Sequence, residues 1–348
     1  MKIAVHGSYF GRNFGDTLLV KIICDWLKSD GHTDLVLPKV SSDLEAFEIG
    51  VRKINQDEWD KLDFVIFSGG GYFGEPSGNK ISLIYWYIRN YFRHIYWLKK
   101  CPNAKIIILG VGFGPISNKV FLKKINSIFK SSEFIYFRDE VSIEYLKKYG
   151  IYQQKFKLGV DLAYSLGLEK KDDLKSFDFK IGIHIPIKNL NDKKFFLNAL
   201  SFIKNSDFRV ELICDTPQSS ELINNSNSLY YELIKFENVS LVSYISPDEL
   251  IRQILSYRVI ITSKLHVGIV ATNLGVPVYS IPKHSKTLRY YTQIGYESNC
   301  NPIYDFDYKK HENLISNLIN LKPAYIPKDY YKLVEVMKSN LLSVINGL

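Results

Sequence analysis

The chain has 348 residues, 46% of them hydrophobic and 23% charged, with a formal net charge of +9. That length exceeds a single comfortable core and predicts two domains, and the ordinary globular balance excludes a disordered or fibrous chain. The positive excess suits an anionic substrate, a nucleotide, an acidic glycan or an anionic membrane surface; no nucleic-acid motif accompanies it, so nucleic acid is not an expected partner.

Lys2–His6 reads as a first strand running into Gly7. No signal peptide is expected before it and no apolar run is long enough to span a bilayer, so the expected location is cytoplasmic. Gly11-Arg12-Asn13-Phe14-Gly15-Asp16 follows as a turn whose glycines let a ligand approach the backbone. Asn13 and Asp16 can orient hydroxyls there; Asp16 serves equally well as the cap of a helix over Asp16–Ser29. That helix would bury Leu18, Leu19, Ile22, Ile23, Trp26 and Leu27.

Phe64–Phe67 is the next strand, ending at Ser68-Gly69-Gly70-Gly71-Tyr72-Phe73-Gly74. A glycine run there, including Gly70 and Gly71, makes either a nest of N–H groups for a phosphate or sugar hydroxyl, or a tight turn. Ile81–Lys100 reads as one long amphipathic helix with the stripe Ile84, Ile88, Tyr91, Ile95 and Leu98, and with Arg89, Arg93, Lys99, Lys100 and two tryptophans elsewhere on its surface. Such a helix either packs on a sheet or lies on anionic lipid headgroups. Lys105–Leu109 is a strand before the turn Gly110-Val111-Gly112-Phe113-Gly114-Pro115, which lacks the G-x-G-x-x-G spacing and gives no support for a nicotinamide or flavin cofactor. Phe134–Phe137 presents Arg138, whose planar fork suits a carboxylate or phosphate, and Asp139 caps a helix from Glu140 to Tyr149. Phe156–Val160 closes this set.

A polar stretch, residues 169–176, reads as a linker. Beyond it Lys180–Ile185, Val210–Cys214, Val239–Val242, Val259–Thr262 and Val278–Ile281 are strands alternating with helices, and helices over His311–Leu321 and Tyr330–Ile345 finish the chain. The expected fold class is α/β: two Rossmann-like, doubly wound domains facing a central cleft. They span residues 1–168 and 177–325, with a C-terminal helix over 326–348 packing back on the first. Ser263-Lys264-Leu265-His266 opens a short helix after a buried strand, where free N–H groups, a lysine and an imidazole could hold an anion and move a proton. The structural alternative is a satisfied core histidine with Lys264 solvating the helix end. Lys286 and Arg289 add positive charge beyond the following strand. Arg138, Lys264, His266, Lys286 and Arg289 are expected to converge, with Asp16 opposite, on a small polyanion. The four cysteines are scattered without a C-x-x-C pair, which predicts buried reduced thiols, and no cluster has metal-ligand spacing, so no metal is expected.

In their order along the chain, Asn13-Phe14-Gly15-Asp16, Gly69–Gly71, Gly110–Pro115, Arg138-Asp139-x-x-Ser142, Ser263-x-Leu265-His266 and Lys286 resemble the polysaccharide pyruvyl transferase family. The resemblance implies a GT-B-like pair of Rossmann domains. It also implies transfer of a pyruvyl group from phosphoenolpyruvate to a sugar hydroxyl pair of a capsule or exopolysaccharide, or of its lipid-linked precursor. Phosphate is released and no cofactor is required. It implies His266 as a catalytic group and Arg138, with the cations near the histidine, as the groups that bind phosphoenolpyruvate. The residue types themselves add Asp16 as a second catalytic group, to orient or deprotonate a sugar hydroxyl, Lys264, Lys286 and Arg289 as the cations, and Leu265, Asn13, Ser263, Gly70 and Gly71 as further substrate-binding positions. The acceptor side falls to the first domain, which shares the donor site with the second. Two positions depart from the family pattern: Lys264 stands where arginine is usual, and Thr17 where glutamate is frequent. A GT-B glycosyltransferase using a nucleotide sugar is the alternative enzyme. A non-catalytic glycan- or membrane-binding protein is the alternative outside enzymes; peripheral contact of the 81–100 helix with the inner face of the cell membrane would suit it, and equally an enzyme acting on a lipid-linked glycan.

Overall fold

The computed structural model describes residues 1–168, 180–184, 208–218, 231, 233–282, 285–300 and 320–347. They group into two compact units: Met1–Arg12, Asp16–Ser165 and Asp329–Leu348 in the first, Asn13–Gly15 and Leu166–Lys328 in the second.

The first unit is built on β1 (Ile3–His6), β2 (Leu35–Leu37), β3 (Arg52–Lys53), β4 (Phe64–Phe67), β5 (Gly70–Phe73), β6 (Lys105–Phe113), β7 (Ser132–Phe137) and β8 (Phe156–Leu158). Their order is β3-β2-β1-β4-β6-β7-β8, with β5 on β6, and every pairing is parallel. The central strands are mostly apolar because helices cover both faces of a parallel sheet; all four residues of β1 and of β4 are buried, His6 at the end of β1 being the polar exception. The helices are α1 (Phe14–Ser29), α2 (Asp43–Ile49), α3 (Lys80–Asn90), α4 (Lys119–Ser131) and α5 (Glu140–Lys148). The sheet order reverses between β1 and β4, the position where such sheets bind ligands.

Two expected loops are strands instead. Gly110–Phe113 continues β6, and Gly70–Phe73 forms β5, which pairs with it at Gly70–Val111 and Phe73–Phe113. The glycines serve this close approach. A Cβ on Gly69 would lie 3.1 Å from the Gly110 carbonyl oxygen, and Gly70 has φ +131°, a conformation that side chains resist. The expected 81–100 helix is also corrected: α3 ends at Asn90, a π turn covers Tyr91–Ile95, and a 3₁₀ segment covers Tyr96–Lys100. The extra residue of a π turn rotates the chain beyond it, so Ile84 and Ile88 do not share a face with Ile95. Ile84 and Ile88 are exposed, whereas Ile95 and both tryptophans, Trp86 and Trp97, are buried.

The second unit is a parallel sheet of β9 (Lys180–His184), β10 (Arg209–Ile213), β11 (Val239–Val242), β12 (Val259–Thr262) and β13 (Val278–Ser280), in the order β11-β10-β9-β12-β13. Its described helices are α6 (Pro247–Leu255), α7 (Leu265–Asn273) and α8 (Ser285–Gln293). Ser246 caps α6 by accepting from the Glu249 N–H, and Pro247 occupies the first turn, where a missing N–H costs nothing. β10, β9 and β12 lie side by side, so the residues after their carboxyl ends are neighbours. The reversal of strand order falls between β9 and β12.

The last helix, α9 (Lys328–Asn346), packs in the first unit. Val334, Met337 and Leu341 are fully buried, Asn340 donates to the Tyr136 hydroxyl, and Asn346 Nδ2 donates to Asp30 Oδ2 at 2.9 Å. The expected linker over 169–176 and helix over 311–321 lie outside the described residues, apart from the last residues of that helix. All four cysteines are buried free thiols. No helix among the described residues is long and apolar enough to cross a membrane.

Candidate functional site

In the second unit the chemistry gathers around one buried carboxylate. Asp215 follows β10, and its side chain is 5% exposed. Its Oδ1 accepts from His184 Nε2 at 3.0 Å, at the end of β9, and its Oδ2 pairs with Lys264 Nζ at 2.8 Å, just after β12. The strand order dictates this meeting, since Thr262 and His184 stand in register on adjacent strands. An ionised carboxylate only accepts hydrogen bonds, so the His184 nitrogen facing it carries the proton. Burial pushes the Asp215 carboxyl up, but His184 and Lys264 outweigh it and hold the group well below the usual carboxylate range.

Asp215 also fixes the segment at residues 13–15: its carbonyl oxygen accepts from the Phe14 N–H at 2.9 Å, satisfying one N–H at the start of α1. The next residue, Gly15, lies directly on the His266 side chain; a Cβ there would overlap its Cβ and the ring atoms Cγ and Nδ1. The glycine expected to admit a ligand admits His266 instead. Lys264 is the N-cap of α7 and His266 sits in its first turn, with Ser263 and Leu265 buried around them. Asn13 and His266 are half-buried. Lys286 and Arg289 are exposed on α8.

Arg138, Asp16, Gly70 and Gly71 belong to the first unit. Arg138 is 11% exposed, with Nε 3.4 Å from Asp139 Oδ2 and Nη1 3.7 Å from Asp161 Oδ2. Its guanidinium lies over Gly112, where a Cβ would come within 3.0 Å of Nη2, so the glycine makes the room. Asp139 caps α5 as expected, accepting from the Ser142 N–H at 2.8 Å and from its hydroxyl at 2.7 Å. Asp16 is not a cap, because α1 begins two residues earlier; it lies in the first helical turn beside Gly70. Burial, and then the Asp16 charge, push the Tyr72 hydroxyl well up. Gly70 is buried and Gly71 exposed.

Three groups escaped the sequence reading. His184 stands one residue before the end of the predicted strand Lys180–Ile185 and Asp215 directly follows the predicted strand Val210–Cys214, and the placement of ligands at the carboxyl ends of parallel strands would have drawn attention to both. The third is a buried pair, His6 Nε2 and His94 Nδ1 at 2.9 Å, joining the end of β1 to the π turn. His94 stacks on Tyr72 with ring centroids 4.5 Å apart. Among the described residues no group of three or more His, Cys, Asp or Glu side chains could hold a metal ion.

Two doubly wound parallel α/β units define the class: a GT-B-like protein. Solved structures agree. UDP-N-acetylglucosamine 2-epimerase from Rickettsia bellii aligns with a TM-score of 0.62 at 13% identity, over 99% of this chain and 95% of that one. UDP-GlcNAc 2-epimerase from Methanocaldococcus jannaschii, in complex with UDP-GlcNAc and UDP, gives 0.59 at 12% identity over 97% and 100%. The Neisseria meningitidis enzyme bound to UDP-GlcNAc gives 0.56 at 11% identity over the whole of both chains. At these identities the likeness establishes the fold alone. No curated protein matches the chain. The family model for polysaccharide pyruvyl transferase matches residues 13–285, and the chain belongs to that family.

Proposed function

We propose that the protein transfers the pyruvyl group of phosphoenolpyruvate to two hydroxyls of a sugar in a cell-surface polysaccharide or its lipid-linked precursor. The product is a pyruvate ketal. In the balanced reaction the methylene carbon of the donor gains a proton and becomes a methyl group. Both sugar oxygens bond to the central carbon, the C–O bond to phosphate breaks, and the second hydroxyl proton leaves with the phosphate. The observation that carries this reading is the family match over residues 13–285, which includes His266 and the residues gathered around it.

His266 is the proton-transfer group, because imidazole is the side chain most often used for general acid–base work, and its ring packs directly on Gly15. Asp16 orients or deprotonates a sugar hydroxyl. Arg138, Lys264, Lys286 and Arg289 supply positive charge for the donor, which carries nearly three negative charges. Ser263, Leu265, Asn13, Gly70 and Gly71 contribute the remaining contacts. Lys264 stands where the family usually has arginine, and Asp215 holds its ammonium group; the three N–H donors of lysine leave more than one for a donor oxygen. No cofactor enters this scheme, and we assign the reaction to the cytoplasmic side of the membrane.

The fold neighbours described with UDP-GlcNAc favour a second reading, in which the donor is a nucleotide sugar. Phosphate release from phosphoenolpyruvate, measured against nucleotide release from nucleotide sugars with the same acceptors, separates the two. His266→Gln should lower pyruvyl transfer by about 100- to 10,000-fold while the circular dichroism spectrum stays unchanged. Full turnover in that variant removes His266 from the chemistry.

A further inference from the structure

The α3 segment is apolar on two faces. One faces inward, where Trp86, Tyr87 and Asn90 are buried. The other faces solvent: Ile81 is 67% exposed, Ile84 57%, Tyr85 71%, Ile88 53% and Phe92 48%. The spacing of Ile81, Ile84, Tyr85 and Ile88, i, i+3, i+4 and i+7, makes one continuous stripe along α3, and Phe92 follows it, also exposed, in the π turn. Tyr96, 38% exposed, follows beyond the π turn with Lys99 Nζ 3.6 Å from its ring centroid. Isolated exposed hydrophobic residues need no explanation, but a row of this kind marks an interaction surface.

The charges identify the partner. Residues 80–100 contain Lys80, Arg89, Arg93, Lys99 and Lys100 and no Asp or Glu. Lys39, from the segment after β2, adds another cation by donating to the Phe92 carbonyl oxygen at 3.0 Å. A second copy of the chain docking by this face would bring like charges together, because a two-fold interface sets the same patch against itself. An anionic bilayer meets both requirements. Its acyl boundary takes the isoleucines, its headgroup level takes tyrosines with one apolar and one polar end, and its phosphates face the lysines and arginines.

We propose that the stripe Ile81, Ile84, Tyr85 and Ile88, with Phe92 beyond it and the basic residues around it, docks this protein on an anionic lipid bilayer. The surface does not depend on which donor the enzyme uses, and its test contains no substrate. The full-length protein should sediment with phosphatidylcholine vesicles containing phosphatidylglycerol, and high salt should weaken the binding. Vesicles of phosphatidylcholine alone should bind it far less. Ile84→Ser combined with Ile88→Ser should lower the partition coefficient by about tenfold to a hundredfold with an unchanged melting temperature, because both side chains already face water. Arg89→Gln combined with Lys99→Gln should lower it too, and flatten its salt dependence.

Failure to sediment at low salt overturns the proposal, as does equal binding by the isoleucine variant. A concentration-dependent dimer in sedimentation velocity that the isoleucine substitutions abolish also overturns it, by assigning the face to a second copy. Loss of pyruvyl transfer with vesicle binding intact would count against the proposed reaction alone.

Discussion

Mild acid should destabilise the first unit through the His6–His94 pair. Both rings are buried, His6 to 0% exposure and His94 to 2%, among Tyr9, Phe67, Tyr72 and Trp97. Burial, and then the Lys39 charge, pull His6 down to about 3. Burial, its partner and the cations Arg93, Lys39 and Arg89 hold His94 well below the ordinary value. In the unfolded chain both titrate near 6.5, so between that value and about 3 the unfolded state binds protons that the folded state refuses. Stability is therefore complete above pH 6.5 and is lost as the pH falls below it. Each histidine costs about 1.4 kcal/mol per pH unit once well below 6.5, which amounts to about 2 kcal/mol at pH 5 and roughly twice that for the pair. That is a large share of the roughly 5–15 kcal/mol that holds a typical domain together.

Urea unfolding followed by tryptophan fluorescence reads this unit alone, because Trp26, Trp59, Trp86 and Trp97 all belong to it and the chain has no others. His94→Gln keeps a hydrogen-bonding group opposite His6 and removes one titrating ring, so it should halve the pH slope between about 4 and 6. A wild-type stability that is flat from pH 7 to pH 5, or a slope that survives His94→Gln, would refute the argument.

Gly15→Ala forces a methyl group into the His266 ring. It should cut pyruvyl transfer by about a hundredfold, as displacements of around 1 Å do, while both units stay folded by circular dichroism. Unaltered turnover would show that the ring position is immaterial. Asp215→Asn leaves Lys264 without its carboxylate; since Lys264 is 42% exposed, water offsets part of the loss, and the expected destabilisation is about 1–3 kcal/mol. The Asp215 carboxyl titrates lower folded than unfolded, so its contribution is present above about pH 4 and lost as the pH falls further; the asparagine variant should show a shallower acid limb by calorimetry. An acid limb identical to wild type would mean that the carboxylate contributes nothing to the second unit.

Several features of the candidate site were legible before any coordinates. The segment Ser263–His266 follows a buried strand and opens a helix as expected, and Asp139 caps α5. Glycine was the ambiguous signal. Gly69–Gly71 read either as a nest of N–H groups or as a tight turn, and Gly110–Pro115 as a turn; in the fold Gly69 and Gly70 let β5 and β6 run close together, and Gly112 makes room for Arg138. A missing side chain is visible in the sequence, but the atom that fills its place is not. The same holds for Gly15, whose neighbour His266 stands 251 residues away along the chain.

Alternating apolar runs and helical periodicities were enough to specify an α/β chain and nearly all its central strands, because burial on both faces of a parallel sheet demands continuous apolar sequence. Strand order was not so encoded, and it is what brings His184, Asp215 and Lys264 together. Nor could periodicity reveal which apolar face of residues 81–96 meets the sheet, since both faces are apolar and a π turn breaks the repeat between them. Sequence patterns record what each segment must bury locally; which distant segment does the burying is set only when the sheets and helices pack.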